Sequence, residues 1–289
     1  MMLNSMSAHL RGSVLMVLAM AFFAIEDALL KSVMQQLPVG EVLILFGSGG
    51  LLVFMGLAMA RSEQILDTRM FSKTLALRSV SEVAGRLFYT IAIALTPLSS
   101  ASAILQATPL VVALGAVVFF GERVGPKRWF AISIGFLGVL LILRPGIEGF
   151  EPASIFAVLG TLGFAGRDLA TRAAPPHMSN NQLGVYGFLM LVIAGIIALA
   201  YTGGATWPDV TVSMQLAAAI VIGVTAYNAL TGAMRSGDVS IVAPFRYTRL
   251  IFGVLLGVTV FAERPDMLTI VGSVIIAVSG LYTLICKRT

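Results

Sequence analysis

Long apolar runs fill this chain, separated by short stretches rich in Pro, Gly and charge. A membrane-crossing helix needs about 20 mostly apolar residues. Ten such runs lie near 12–30, 39–60, 75–95, 99–120, 127–143, 153–171, 182–201, 212–234, 239–261 and 267–285. Between them stand Pro38, Pro97, Gly125-Pro126, Pro145-Gly146, Pro175-Pro176, Gly203-Gly204, Pro208, Gly237 and Pro265, where helix breakers belong. The runs are continuous, not alternating in ten-residue segments, so helices are predicted and a membrane barrel is not. Composition agrees. Of 289 residues 58% are apolar and 11% charged, and mean hydropathy is +0.95, whereas a soluble domain is roughly one-quarter charged. Lipid bilayer is the solvent this pattern requires.

Charge then sets an orientation. Arg11, Arg61, Arg69, Lys73, Arg123, Lys127, Arg128, Arg172, Arg235, Lys287 and Arg288 fall on one side of the alternating loops, against Lys31, Arg144 and Arg264 on the other. The excess of cations marks the cytoplasmic side, so both termini are expected there. The first run has features of a signal peptide, with Arg11 ahead of it and Ala19-Met20-Ala21 inside it. Its internal acids and its repetition later in the chain predict a retained helix. A pI of about 9.7 raises nucleic acid as a partner, but the cations are scattered and form no basic stripe, so no nucleic acid is expected. One cysteine, Cys286, excludes a disulfide scaffold.

Shifting the chain by 141 residues lays one half on the other. Val17-Leu18 falls on Val158-Leu159, Asp27 on Asp168, Lys31 on Arg172, and Glu122-Arg123 on Glu263-Arg264. The fold predicted is therefore an all-α integral membrane protein, its ten transmembrane helices forming two five-helix repeats, over 1–143 and 153–289. Because five is odd, the second repeat enters the membrane from the opposite side. Inverted repeats of this kind place a substrate site between the halves near the midplane.

Charges inside the spans cost roughly 2.5–3.5 kcal/mol each on insertion scales and mark functional positions. Arg78, Glu82 and Arg86 share a helical face with Tyr89 near it, and the mirrored Ala219, Gly223 and Tyr227 lack their charges. Arg246 and Arg249 share a face just after Pro244, and their mirrors are Leu105 and Thr108. Asymmetric features are the better substrate candidates, so the expected site is Glu82, Arg86, Tyr89, Gln106, Tyr227, Asn228, Arg246, Tyr247 and Arg249, joined by Asp168, a symmetric residue placed to reach the cavity. The plainer alternative is that Arg246 and Arg249 pair with Glu82 or Asp168 and only lock helices. Asp27–Lys31 and Asp168–Arg172 have salt-bridge spacing, and Glu26 and Arg167 occupy matched positions with opposite charge. Phe22, Phe23 and Phe119-Phe120 read as packing or lipid contacts. Gly253 and Gly257 make a close-packing GxxxG face.

Enzyme signatures are missing: no GxxxxGK[ST], HExxH, CxxC or GxSxG occurs, and the two histidines, His9 and His177, lie in a terminus and a loop. No catalytic residue, metal or cofactor is expected. An intramembrane enzyme built on Glu82 and Arg86, or a receptor, is the rival class.

The two five-helix halves, Glu122-Arg123 and Glu263-Arg264 closing the fourth and ninth runs, and the Gly-rich fifth and tenth runs resemble the drug/metabolite transporter superfamily, EamA branch. Ala243-Pro244-Phe245-Arg246-Tyr247 is similar to the S-adenosylmethionine uptake transporters of that branch, which also holds riboflavin transporters. The resemblance implies a cavity lined by spans one, three, four, six, eight and nine. It implies secondary transport of a small polar or aromatic metabolite by alternating access, in a bacterial inner membrane. Amino-acid or drug export is the alternative. Glu122 and Glu263 are implied to be structural or gating. A homodimer is left open as the assembly.

Overall fold

The computed structural model describes residues 2–63, 65, 73–121, 125–144, 151–172, 179–235 and 242–285. Glu122, Arg123, Arg69, His177, Cys286, Lys287, Arg288, the breakers Pro145-Gly146, Pro175-Pro176 and Gly237, and the side chains of His9, Arg172 and Arg235 lie outside the described residues. The described helices are α1 (Met2–Val33), α2 (Val39–Ala60), α3 (Lys73–Leu95), α4 (Leu98–Leu105), α5 (Thr108–Phe120), α6 (Pro126–Leu143), α7 (Ser154–Arg172), α8 (Asn180–Thr202), α9 (Val210–Arg235), α10 (Thr248–Phe261) and α11 (Met267–Ile285). They build ten spans, because α4 and α5 together make the fourth, and a 3-10 turn over Ala243–Tyr247 leads into α10 in the ninth.

Boundaries follow local chemistry. Pro38 and Pro97 precede α2 and α4, and Pro126 opens α6, positions where a missing N–H leaves no helical bond unmade. Ser179 and Gln182 form a reciprocal capping box on α8. The fourth and ninth spans end on left-handed residues at equivalent positions, Gly121 (φ 63°) and Ala262 (φ 51°). A Cβ disfavours that conformation by roughly 1–2 kcal/mol. Ala262→Gly is therefore expected to raise thermal stability in detergent by about 1 kcal/mol, measured as an upward shift of the unfolding midpoint.

Packing repeats the sequence symmetry. With partners exchanged between halves, α3 against α7 becomes α9 against α1, α2 against α9 becomes α8 against α3, and α1 against α10 becomes α7 against α4 and α5. The contacts α2–α8, α4–α10 and α6–α11 map onto themselves. A two-fold relation between the halves produces this pairing. Glycine sets the closest approach: a Cβ on Gly163 of α7 would run into the backbone of Gly85 on α3. The expected Gly253–Gly257 face is closely packed as well: a Cβ on Gly253 would run into Ser102 of α4, and one on Gly257 into the Glu263 carboxylate.

Among the described residues, five segments are long and apolar enough to cross a membrane on length and composition: Leu10–Val33, α2, Leu98–Phe120, α8 and Val210–Met234. The charged α3 and α7 fall outside that group because their Arg, Lys, Glu and Asp residues make them too polar. Outward faces carry Leu52, Phe119, Phe130, Ile196 and Val221, all exposed, an apolar surface that lipid covers.

One end of the bundle is tied shut. Glu263 accepts from the backbone N–H of Leu98 (2.5 Å) and Ser99 (3.0 Å) and from Ser99 Oγ (2.7 Å), capping α4. Lys31 Nζ donates to the carbonyls of Ile93 (2.8 Å) and Thr96 (2.5 Å). The expected Asp27–Lys31 bridge does not form, because these carbonyls take the ammonium and Asp27 has another cation. At the same end Arg144 pairs with Asp266, which also accepts from Thr269 N–H at 2.9 Å. Slight burial works to raise the Asp266 pKa, but Thr269 and Arg144 outweigh it and hold the carboxyl below its ordinary value. This contribution is present at neutral pH and is lost as pH falls below about 4. At the opposite end Glu63 accepts from Ser179 Oγ (2.5 Å) and Asn181 Nδ2 (3.2 Å). In both places the contacts join loops that the alternating topology puts on one side.

Candidate functional site

The fourth and ninth spans break at mirrored points: the offset of 141 sets Gln106, the C-cap of α4, on Tyr247, the N-cap of α10. Breaks free backbone groups that side chains must satisfy. Gln106 Nε2 donates to the Arg246 carbonyl at 2.8 Å, linking the two breaks, and Thr108 Oγ1 donates to the Leu105 carbonyl at 2.5 Å. In the sequence Pro109 predicts a kinked fourth span and Pro244 an opened start of the ninth, and both spans are interrupted there.

Around the breaks lies a network of charge. Arg249 Nη2 donates to Asp27 Oδ2 at 2.6 Å, and the Tyr89 hydroxyl donates to the same oxygen at 3.1 Å. The guanidinium also lies over the rings of Phe23 (5.2 Å) and Tyr89 (5.6 Å). Glu82 is a hub, with Arg167 at 3.3 Å and Arg78 and Arg86 each at 3.8 Å. Arg86 reaches on to the buried Glu26 at 3.7 Å. The matched but oppositely charged Glu26 and Arg167 thus take different partners. Arg167 meets Glu82, while Glu26 sits against Gly223, the uncharged mirror of Glu82. Arg167 also donates twice to Asp168 Oδ1, at 2.9 and 2.8 Å, and covers the Phe164 ring at 4.9 Å. Each half therefore holds a guanidinium on a Phe–Asp pair, Phe23–Asp27 or Phe164–Asp168.

Arg246 differs from the other arginines. Its Nη1 is 4.0 Å from Asp168 Oδ2, too far for a hydrogen bond, and the two side chains are 33% and 26% exposed. Arg249 and Asp27 are only 15% and 4% exposed. The two candidate arginines thus split into one buried in a lock and one facing open space.

That space is a pair of cavities, of about 300 and 80 Å³. Glu82, Arg86, Asp168, Tyr227 and Arg246 line the larger, which reaches the helix ends at Arg78, Asn180 and Met234. Arg86, Tyr89, Gln106, Arg246, Tyr247 and Arg249 line the smaller, whose walls come from spans one, three, four, six, eight and nine. Asn228 is outside both sets; its amide donates to the Val224 carbonyl of its own helix at 3.1 Å. The Tyr247 hydroxyl is buried against Gly280 of α11. The seventh span was not foreseen at the site, yet Phe188 and Leu191 of α8 wall the larger cavity. Phe23, expected to be packing, lines both. Its signal was present in the repeat, where Phe23 falls on Phe164. Among the described residues no group of three His, Cys, Asp or Glu side chains is placed to hold a metal ion.

Known proteins match long stretches of this chain, one of them nearly its whole length. It is 32% identical over 191 residues to a riboflavin transporter of Rhizobium johnstonii, a stretch covering 66% of this chain and 63% of that protein. It is 29% identical over 278 residues to the pseudopaline exporter CntI of Pseudomonas aeruginosa, covering 93% and 94%. An S-adenosylmethionine uptake transporter of Rickettsia bellii is 26% identical over 207 residues, 71% of this chain and 69% of that one. A crystal structure of a protein 19% identical shares the fold, with a TM-score of 0.62 over 97% of this chain and 98% of that chain. The EamA-like transporter family model matches twice, over residues 10–144 and 152–285, once in each five-helix half. The chain is thus a multi-pass membrane protein, no enzyme but a transporter of small molecules, and it belongs to the EamA-like transporter family.

Proposed function

We propose that this protein is a secondary transporter that moves a small polar or aromatic metabolite across a bacterial inner membrane by alternating access. The observation that carries the reading is the charged cavity between the halves. Ion pairs cross from one half to the other, Arg249 to Asp27 and Arg167 to Glu82. Such pairs hold the halves together in one arrangement and can be exchanged in another. Glu82, Arg86, Asp168, Tyr227 and Arg246 are the proposed substrate contacts in the larger cavity, with Tyr89, Gln106, Tyr247 and Arg249 in the smaller. Asn228 takes a supporting place on α9. The cation excess of the loops supports cytoplasmic termini, which makes the end tied by Glu263 the outer one and the larger cavity inward-facing. A guanidinium holds a carboxylate or carbonyl-rich group with directed hydrogen bonds, the role proposed for Arg246. Named relatives act on riboflavin, S-adenosylmethionine and pseudopaline, so the first cargoes to test are of that size. The experiment is uptake and counterflow of labelled riboflavin, S-adenosylmethionine and amino acids in sealed proteoliposomes. Accumulation above that of protein-free vesicles is expected for at least one. Binding without movement would mean a receptor, and chemical conversion an enzyme.

A further inference from the structure

Resting on the transporter reading, we infer that Gly280 of α11, a helix that lines neither cavity, limits the size of the cargo by seating the Tyr247 ring. Tyr247 lines the smaller cavity, and its ring edge and hydroxyl also occupy the space that a Cβ on Gly280 would take. The hydroxyl is buried and has no hydrogen-bond partner among the described residues. Packing against the glycine, and no polar contact, holds the far end of the ring. Both backbones are fixed where they meet. Tyr247 ends the 3-10 turn and caps α10 with helical dihedrals (φ −67°, ψ −15°), and Gly280 stands within α11. A methyl group at position 280 therefore displaces the ring before it moves either main chain. Tyr247 is only 5% exposed, and close-packed neighbours give way less readily than an open void. That void is the smaller cavity, of about 80 Å³, so the displaced ring turns inward and fills it.

The repeat ties the glycine to the tyrosine and not to the fold. At the offset of 141, Gly280 falls on Val139 and Tyr247 on Gln106. Val139 is buried, so the bundle accepts a branched side chain at this point in the half that carries Gln106, whose amide goes to the Arg246 carbonyl. The half that carries the ring leaves the position without a side chain. Arg246 lines both cavities. A cargo held there extends into the smaller one while Tyr247 rests on Gly280, whereas a compact cargo confined to the larger cavity is indifferent to the ring.

The test reads the smaller cavity directly, without transport. In a Cys286→Ser background, Leu105→Cys reports on the smaller cavity and Leu183→Cys on the larger. The purified full-length protein in detergent is treated with a small methanethiosulfonate reagent. Gly280→Ala is expected to slow labelling of Leu105→Cys at least tenfold and to change that of Leu183→Cys less than twofold. Adding Tyr247→Val should restore the Leu105→Cys rate. An unchanged rate at Leu105→Cys, equal slowing at both positions, or slowing that persists with Tyr247→Val overturns the inference. Where Gly280→Ala does not fold, Tyr247→Val/Gly280→Ala should recover folded protein and label Leu105→Cys at the parent rate or faster; failure to do so also overturns it. In proteoliposomes, Gly280→Ala should raise the half-saturation concentration at least tenfold for the largest panel compound that the parent moves, and less than twofold for the smallest. Equal change for both overturns the size limit and leaves the transporter reading standing. The transporter reading fails separately, when the unmodified protein moves no compound of the panel while the labelling pattern holds.

Discussion

Arg249→Met is expected to remove most of the folded protein from the membrane, while Asp27→Asn/Arg249→Met recovers a large part of it. Asp27 is buried and accepts from Arg249 at 2.6 Å. Breaking a buried pair at one partner leaves an uncompensated charge and costs about 3–5 kcal/mol, whereas removing both partners is far cheaper. The Phe23 and Tyr89 rings beside the guanidinium add to what Met loses. The measurement is the monodisperse fraction after detergent extraction, with the thermal midpoint of each variant. A single variant as stable as the parent would show that this pair locks nothing. Arg249→Lys is expected to fall between, because an ammonium keeps the charge but not the flat group the two rings enclose.

Glu82→Gln is expected to have an effect of similar size and a different rescue pattern. Three guanidinium groups converge on this carboxylate, so its loss sets cations against one another within the bundle, at a cost of about 3–5 kcal/mol. A simple Glu82–Arg86 pair would be restored by Glu82→Gln/Arg86→Met. In the network, that double change still leaves Arg78 and Arg167 facing the amide and takes from Glu26 its Arg86 partner. Less than half of the lost stability should return, read from the same thermal midpoints. Full restoration would reduce the hub to an isolated pair.

Much of the architecture was legible because apolar length and charge position are one-dimensional signals. The ten runs became helical spans, most of them within a few residues of their expected ends. However, α1 begins at Met2 and not near residue 12, and residues 239–241 of the ninth run lie outside the described residues. The offset that aligned Asp27 with Asp168 also aligns the helix packing. Partner choice was harder to read. Asp27 and Lys31 have salt-bridge spacing on one helix, but spacing says nothing of the carbonyls of Ile93 and Thr96 that a neighbouring span presents. Arg246 and Arg249 lie on one face in sequence; the 3-10 turn ending at Tyr247 and the approach of α1 separate their surroundings. Phe188 could not be identified because its span carries no intramembrane charge, and only tertiary packing turns its ring toward the site.

Cargo is proposed to cross through the cavity between the halves and to be held there by Arg246. The most direct measurement is the initial transport rate against concentration for Arg246→Lys, using whichever panel compound the unmodified protein moves, normalised to correctly inserted protein. Lys preserves the charge but cannot reproduce two parallel hydrogen bonds to a carboxylate. Normal insertion is expected, with the half-saturation concentration raised about tenfold, the equivalent of about 1.4 kcal/mol. Unchanged half-saturation and unchanged maximal rate in that variant would contradict it.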